Sequence, residues 1–205
     1  MNILAIGAHP DDIEFGCGGT LLKYAAAGYT INLLVLTSGK VGGNPLERTR
    51  EQELSAKAIG VNELIWGGFE DTELVENKPL IISIEKALVR TKPDIVFINY
   101  VDDVHQDHRA VAFSGITATR YIKEVLFYEV PSTQNFMPDI FVDVGDILEK
   151  KFHLLKLHAS QVNKTRIDNL TIIESAQACA TFRGYQGRVK SAEGFKALRI
   201  LRTIA

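Results

Sequence analysis

Five short runs of mainly apolar residues punctuate the chain: Ile3-Leu-Ala-Ile6, Thr30-Ile-Asn-Leu-Leu-Val-Leu-Thr37, Leu64-Ile-Trp66, Val96-Phe-Ile-Asn99 and Val125-Leu-Phe-Tyr128. Each is short enough for a buried strand, and helix-like segments lie between them. Helices are expected at about 18–27, stopped by Gly28, at 46–59, ended by Gly60, at 78–91 and at 109–118. Strands alternating with helices build parallel pairs joined by crossovers. The predicted fold is therefore α/β: a single Rossmann-like, doubly wound domain with a mostly parallel sheet and helices on both faces. Ile140-Phe-Val-Asp-Val144 adds a strand-like run, and helices are expected at 147–158 and 166–179. Arg183-Gly-Tyr-Gln-Gly-Arg188 reads as a surface loop that could reach the crevice mouth or an adjacent subunit. With 205 residues, of which 46% are hydrophobic, the chain suffices for one well-cored domain spanning 1–205.

The first strand opens onto Gly7-Ala-His-Pro-Asp-Asp-Ile-Glu-Phe-Gly-Cys-Gly-Gly19. A glycine-rich turn there usually cradles a pyrophosphate on backbone N–H groups. Asp11, Asp12 and Glu14 would repel one, so the glycines read better as permitting close packing. A plainer alternative is that Asp11 or Asp12 only caps the helix and His9 is an ordinary loop histidine.

A second cluster, Asp102-Asp-Val-His-Gln-Asp-His108, follows the fourth strand. Two histidines three apart with an acid between them recur in metal sites, because a neutral imidazole binds zinc through one nitrogen while a partner holds the other. In the sheet order 3-2-1-4-5, strands one and four are neighbours, and their carboxyl ends flank the crevice where ligands bind. Both clusters then meet at that switch point.

Ala8-His-Pro-Asp-Asp12, Gly16-Cys-Gly-Gly-Thr20 and His105-x-Asp-His108 resemble the motifs of the PIG-L/LmbE family of zinc-dependent N-acetylglucosaminyl deacetylases. The resemblance runs on through Arg48-x-x-Glu51, Ala58-Ile-Gly60, Gly68-Phe-Glu-Asp71, His158-Ala-Ser-Gln161 and Ala192-Glu-Gly-Phe195, so it covers nearly the whole chain. The paired metal motifs are specific; the tail matches are weak. Gln106 stands where the family often has proline, and Tyr100-Val101 leads differently into the second motif.

The resemblance implies a metal set of His9, Asp12 and His108, two nitrogens and a carboxylate that leave a position open for water. It makes Asp11 the general base. His105 is then the transition-state stabiliser or general acid, with Asp107 fixing its orientation. Arg48 is expected over sugar hydroxyls or an acidic group, and otherwise pairs with Glu51. Asp71 is expected to accept hydrogen bonds from sugar hydroxyls, and otherwise is a solvated turn residue. His153 and His158 read as surface or packing histidines outside the site. The cofactor implied is Zn2+, with Fe2+ as the alternative, and the partner is an acetylated amino sugar. The competing readings are a hydrolase of another N-acyl substrate, a nucleotide-binding module without catalysis, and a metal-binding but inactive scaffold.

A net charge of -2 provides no basic field for nucleic acid or an anionic membrane. Cys17 and Cys179 are too few and too far apart for a disulfide framework. No basic leader precedes Ile3, and no apolar stretch approaches the roughly 20 residues that span a bilayer. A cytoplasmic protein is expected; a homo-oligomer is left open.

Overall fold

A computed structural model describes residues 1–201. Its elements run β1 (Asn2–Gly7), α1 (Asp12–Ala26), β2 (Thr30–Thr37), α2 (Pro45–Ile59), β3 (Glu63–Phe69), α3 (Lys78–Thr91), β4 (Ile95–Asn99) and α4 (Gln106–Ala118). Then follow β5 (Glu124–Tyr128), β6 (Ile140–Asp143), α5 (Leu148–Leu157), α6 (Ile172–Gly187) and β7 (Ala192–Arg199). They form one sheet in the order β3-β2-β1-β4-β5-β7-β6. β1 to β5 are parallel in the expected 3-2-1-4-5 arrangement, while β7 runs antiparallel to both β5 and β6. No helix among the described residues is long and apolar enough to cross a membrane.

The two-residue period of β1 divides the core. Ile3 and Ala5 face one layer, with Ile13, Cys17 and Leu21 of α1 and Phe152 and Leu155 of α5. Leu4 and Ile6 face the other, with Leu80 and Ile84 of α3 and Val111 of α4. Residues 3–6 are completely buried, as a central strand covered on both faces requires.

Helix α1 begins at Asp12, directly after the His-Pro-Asp turn, and not at Gly18. Its glycines weigh against helix intrinsically, but tertiary contacts override that preference. A Cβ on Gly16 would lie 2.1 Å from the Tyr128 ring, and one on Gly19 would lie 2.9 Å from Val144 and 3.0 Å from the Glu193 carboxylate. The bare backbone admits side chains from outside. The Gly19 and Thr20 amides donate to Glu193 at 2.8 and 2.7 Å, and the Phe15 carbonyl accepts from Lys151 Nζ at 2.6 Å. Lys151 and Glu193 pair at 2.6 Å, both buried. The glycine segment thus locks α1 to α5 and β7.

The other departures lie near the C-terminus. Helix α6 starts at Ile172, where Thr171 and Glu174 form a capping box, and not at Arg166. It continues to Gly187, so most of the expected surface loop at 183–188 is its last turns. Arg183 is buried there in a two-pronged pair with Glu129, both contacts 2.6 Å. Ala192 to Arg199, which has no strong strand period of its own, is the antiparallel strand β7.

Candidate metal centre

The loops after β1 and β4 bring the two sequence clusters together at the carboxyl edge of the sheet. His9 follows β1, and His108 sits in the first turn of α4. Their facing nitrogens, His9 Nδ1 and His108 Nε2, are 3.2 Å apart. Asp12 closes the triangle: Oδ1 is 3.2 Å from His108 Nε2 and Oδ2 is 3.6 Å from His9 Nδ1. Donors bound tetrahedrally to zinc at about 2.0–2.1 Å stand roughly 3.3 Å from one another, so the spacing fits one small cation. Each ring is held from behind by carboxylates. His9 Nε2 lies 3.0 Å from Asp71 Oδ1 and 3.1 Å from Asp107 Oδ2, and His108 Nδ1 lies 3.2 Å from Asp103 Oδ2. This is the outer-shell arrangement that directs an imidazole's free nitrogen at a metal. His105 also comes within ligand range of His9 and His108, so proximity alone admits it to the donor set.

The electrostatics favour positive charge in the triangle. Burial alone would depress the pKa of His9, but hydrogen bonds that the ring donates to Asp107, Asp12 and Asp71 carry it well above the usual value. His108 is likewise raised to about 9, with Asp12 and Asp103 overcoming burial. Asp12 is held well below the carboxylate range despite burial, through His108 and His9. Four buried carboxylates around two imidazoles make a pocket that a divalent cation would suit.

Asp11 is set apart from its neighbour. It occupies a left-handed conformation, φ 92°, which is costly for a non-glycine residue. Neither acid caps α1: Asp11 makes no cap hydrogen bond, and Asp12 Oδ2 accepts the His9 N–H at 2.9 Å. Burial raises the Asp11 pKa to about 6 against the opposing charges of Arg48 and His158. Its amide donates to Gln52 Oε1 at 3.3 Å, and Gln52 in turn donates to Glu14 at 2.7 Å.

His105 stacks on His108 with ring centroids 4.7 Å apart. Burial, then the charges of His9 and His108, lower its pKa, which favours the neutral ring. Its Nδ1 accepts the Asp107 N–H at 3.2 Å, which leaves the ring proton on Nε2 as a donor. The Asp107 carboxylate does not touch His105 in the expected way. It accepts the Thr72 and Leu74 amides at 2.8 and 3.3 Å and faces His9, because its position in the first turn of α4 aims it at the loop after β3.

Arg48 and Asp71 are also engaged differently from the sequence reading. Arg48 is buried and donates to the Gly39 and Pro10 carbonyls at 2.7 and 2.8 Å, with Asp11 Oδ2 at 3.5 Å. It makes no pair with Glu51, whose carboxylate instead accepts from the Ser160 amide and hydroxyl at 2.7 Å each. Asp71 is no solvated turn residue; it is buried against His9, and its Oδ2 accepts the Val41 amide at 2.7 Å. Its pKa falls to about 2, since the His9 and Val41 hydrogen bonds outweigh burial.

Two residues of this neighbourhood escaped the sequence reading. Asp103 orients His108, accepts the His105 amide at 2.8 Å and the Thr133 hydroxyl at 2.9 Å, and so ties the loops after β4 and β5 together. The signal was present, because a liganding histidine needs an acidic partner and Asp103 lies inside the quoted cluster. His158 was set aside as a packing histidine. It is fully buried 3.6 Å from Glu14, and its charge bears on Asp11.

A family model described as PIG-L, GlcNAc-PI de-N-acetylase, matches residues 4–119, the stretch containing all eight expected site residues. The chain is 36% identical over 171 residues to the uncharacterized deacetylase YaiS of Escherichia coli K12, covering 80% of this chain and 90% of that protein. The N,N'-diacetylchitobiose deacetylase of Pyrococcus horikoshii superposes with a TM-score of 0.83 at 25% identity, covering 96% of this chain and 83% of that one. GalB, the 4-carboxy-2-hydroxymuconate hydratase of Pseudomonas putida KT2440, superposes over 100% of both chains with a TM-score of 0.84 at 19% identity. That last likeness concerns the fold alone.

Proposed function

We propose, on the premise that the chain belongs to the PIG-L family of GlcNAc-PI de-N-acetylases, that it removes the acetyl group from an N-acetylglucosamine-type conjugate in a metal-dependent hydrolysis. The observation that carries this is the triangle of His9 Nδ1, His108 Nε2 and the Asp12 carboxylate, 3.2–3.6 Å on a side, with an uncoordinated carboxylate, Asp11, in the adjacent position. His9, Asp12 and His108 would hold Zn2+ or Fe2+, since imidazole and carboxylate suit either ion. Such a cation would supply Lewis acidity, to polarise an acyl oxygen and acidify water at neutral pH.

The chain's own groups supply the proton movements. Asp11, ionised above about pH 6, takes a proton from the attacking water. The neutral His105 donates its Nε2 proton as a hydrogen bond to the oxyanion that develops on the acyl carbon's oxygen. When the C–N bond breaks, the leaving amine needs one proton, which protonated Asp11 returns. Acetate and the free amino sugar are the products.

Because the same fold also serves a hydratase, fold likeness does not choose the reaction; the sequence likeness to a protein named a deacetylase supports amide hydrolysis. The test is acetate release from N,N'-diacetylchitobiose and related acetylated amino sugars. Release is expected to cease after exhaustive chelation and return with added Zn2+ or Fe2+. Turnover that survives complete removal of metal, or a metal-loaded enzyme that cleaves no N-acetyl group across such a panel, would contradict the proposal.

A further inference from the structure

The loop between β2 and α2, Ser38 to Asn44, holds three glycines, yet it is strapped down across the site. Arg48 Nη1 takes the Gly39 carbonyl at 2.7 Å, and Lys164 Nζ takes the Gly42 carbonyl at 2.5 Å. Gly39 has φ +66°, and a Cβ there would lie 2.0 Å from the Arg48 guanidinium, so the backbone descends onto the arginine only because the residue is glycine. Lys40 pairs with Glu70, beside Asp71.

One contact leads from this loop directly to a proposed metal ligand. Asp71 uses its two oxygens on two different partners, Oδ1 on His9 Nε2 at 3.0 Å and Oδ2 on the Val41 amide at 2.7 Å. We infer that Asp71 is a positioning residue that couples closure of the glycine loop to cation binding at His9. This rests on the metal-site reading above.

The two carboxylates on His9 Nε2 are not equivalent. Asp107 is fixed to its own neighbourhood by the Thr72 and Leu74 amides and holds His9 whatever the glycine loop does. Asp71 also depends on Val41, in a loop whose tip is exposed. His9 presents Nδ1 to a cation only while Nε2 carries the ring proton, and the carboxylates behind it enforce that tautomer. When the loop lifts, Asp71 loses the Val41 amide and with it the constraint that aims Oδ1 at His9. By linkage, the factor by which closure tightens cation binding equals the factor by which the cation favours closure.

Two variants and two readouts test this, neither of which is turnover. Zinc affinity is measured by competition with a chromophoric chelator, and loop opening by the rate of trypsin cleavage at Lys40–Val41, followed by mass. In the wild type, saturating zinc is expected to slow that cleavage at least about fivefold, the lower end of ordinary coupling. Asp71→Asn has one acceptor oxygen and cannot serve both partners. It is expected to bind zinc roughly 10- to 100-fold more weakly and to be cleaved at a rate indifferent to zinc. Val41→Pro removes only the loop N–H and leaves Asp71 on His9, so a weakened zinc affinity in that variant separates coupling from damage at Asp71. Unchanged affinity in either variant, or zinc-independent cleavage of a wild type that does bind zinc, overturns the coupling alone. A wild type that takes up no divalent cation overturns the metal-site reading as well.

Discussion

Asp11→Asn is expected to lower kcat by about 10²- to 10⁴-fold, the usual contribution of a positioned general base, while zinc affinity stays close to that of the wild type. The substitution is nearly isosteric and leaves an oxygen for Arg48, which approaches Asp11 Oδ2 at 3.5 Å. What it removes is the capacity to accept a proton. Asp11 makes no contact with the His9–His108–Asp12 triangle comparable to the 3.2 Å between those histidines, so the cation's donors are untouched. The wild type should also show an acid limb that the variant lacks. Activity requires the ionised carboxylate, so it rises as pH increases through the Asp11 pKa. Burial places that value at about 6; a cation on neighbouring Asp12 draws it lower, so the limb falls at about 6 or below. Steady-state rates across pH, with parallel zinc titrations, check both points. A variant that keeps more than half the wild-type rate, or that loses zinc together with rate, rules out the base role.

Glu193→Gln is expected to destabilise the fold by about 3–5 kcal/mol, the cost of breaking a buried ion pair from one side. Glu193 accepts four hydrogen bonds in a dry setting: from the Gly19 amide, the Thr20 amide and hydroxyl, and Lys151 Nζ, at 2.6–2.8 Å. A glutamine turns an NH2 towards donors on one side and leaves Lys151 buried with its charge uncompensated. In a domain of this size the loss corresponds to a fall in Tm of roughly 6–20 °C. Lys151→Met should rescue the Glu193→Gln background in part, because the stranded charge is then gone. Urea melts of the two single variants and the double variant measure the cycle. A change below about 1 kcal/mol in Glu193→Gln, or strict additivity with Lys151→Met, would show that the pair does not hold α1 in place.

These two residues also mark how much was legible from sequence. Alternation of strands and helices pointed to a doubly wound sheet, whose order 3-2-1-4-5 brings the loops carrying His9 and His108 together. Local pattern sufficed because the candidate donors lie in the loops and first helical turns that follow β1 and β4. Glu193 was not legible. Ala192-Glu-Gly-Phe-Lys-Ala-Leu-Arg199 carries glycine and three charges and has no strong strand period, yet sheet pairing with β5 and β6 imposes a strand on it. The glycines of α1 were read correctly as close-packing positions, but what packs there, Tyr128, Val144 and Glu193, lies more than a hundred residues away.

Within the site, residue types were easier to read than their partners. Asp103 and Asp107 both lie in the second cluster, but which acid serves which imidazole depends on the turn entering α4. There Asp103 faces His108, Asp107 faces His9, and only the backbone amide of Asp107 reaches His105. The family resemblance is what placed Arg48 and Asp71 at substrate hydroxyls. In the fold Arg48 satisfies the Gly39 and Pro10 carbonyls, and Asp71 joins the loop after β2 to His9. Such roles arise from long-range backbone contacts that no local pattern encodes.

The convergence of His9, Asp12 and His108 on one cation is tested most directly by X-ray absorption at the zinc edge on protein reconstituted to saturation, alongside the metal count. One ion per chain is expected, in a first shell of two imidazole nitrogens and light oxygen donors at about 2.0–2.2 Å, with His108→Ala losing one imidazole and much of the bound metal. A shell without imidazole scattering, a sulfur-bound ion, or a count that His108→Ala leaves unchanged would contradict the assignment.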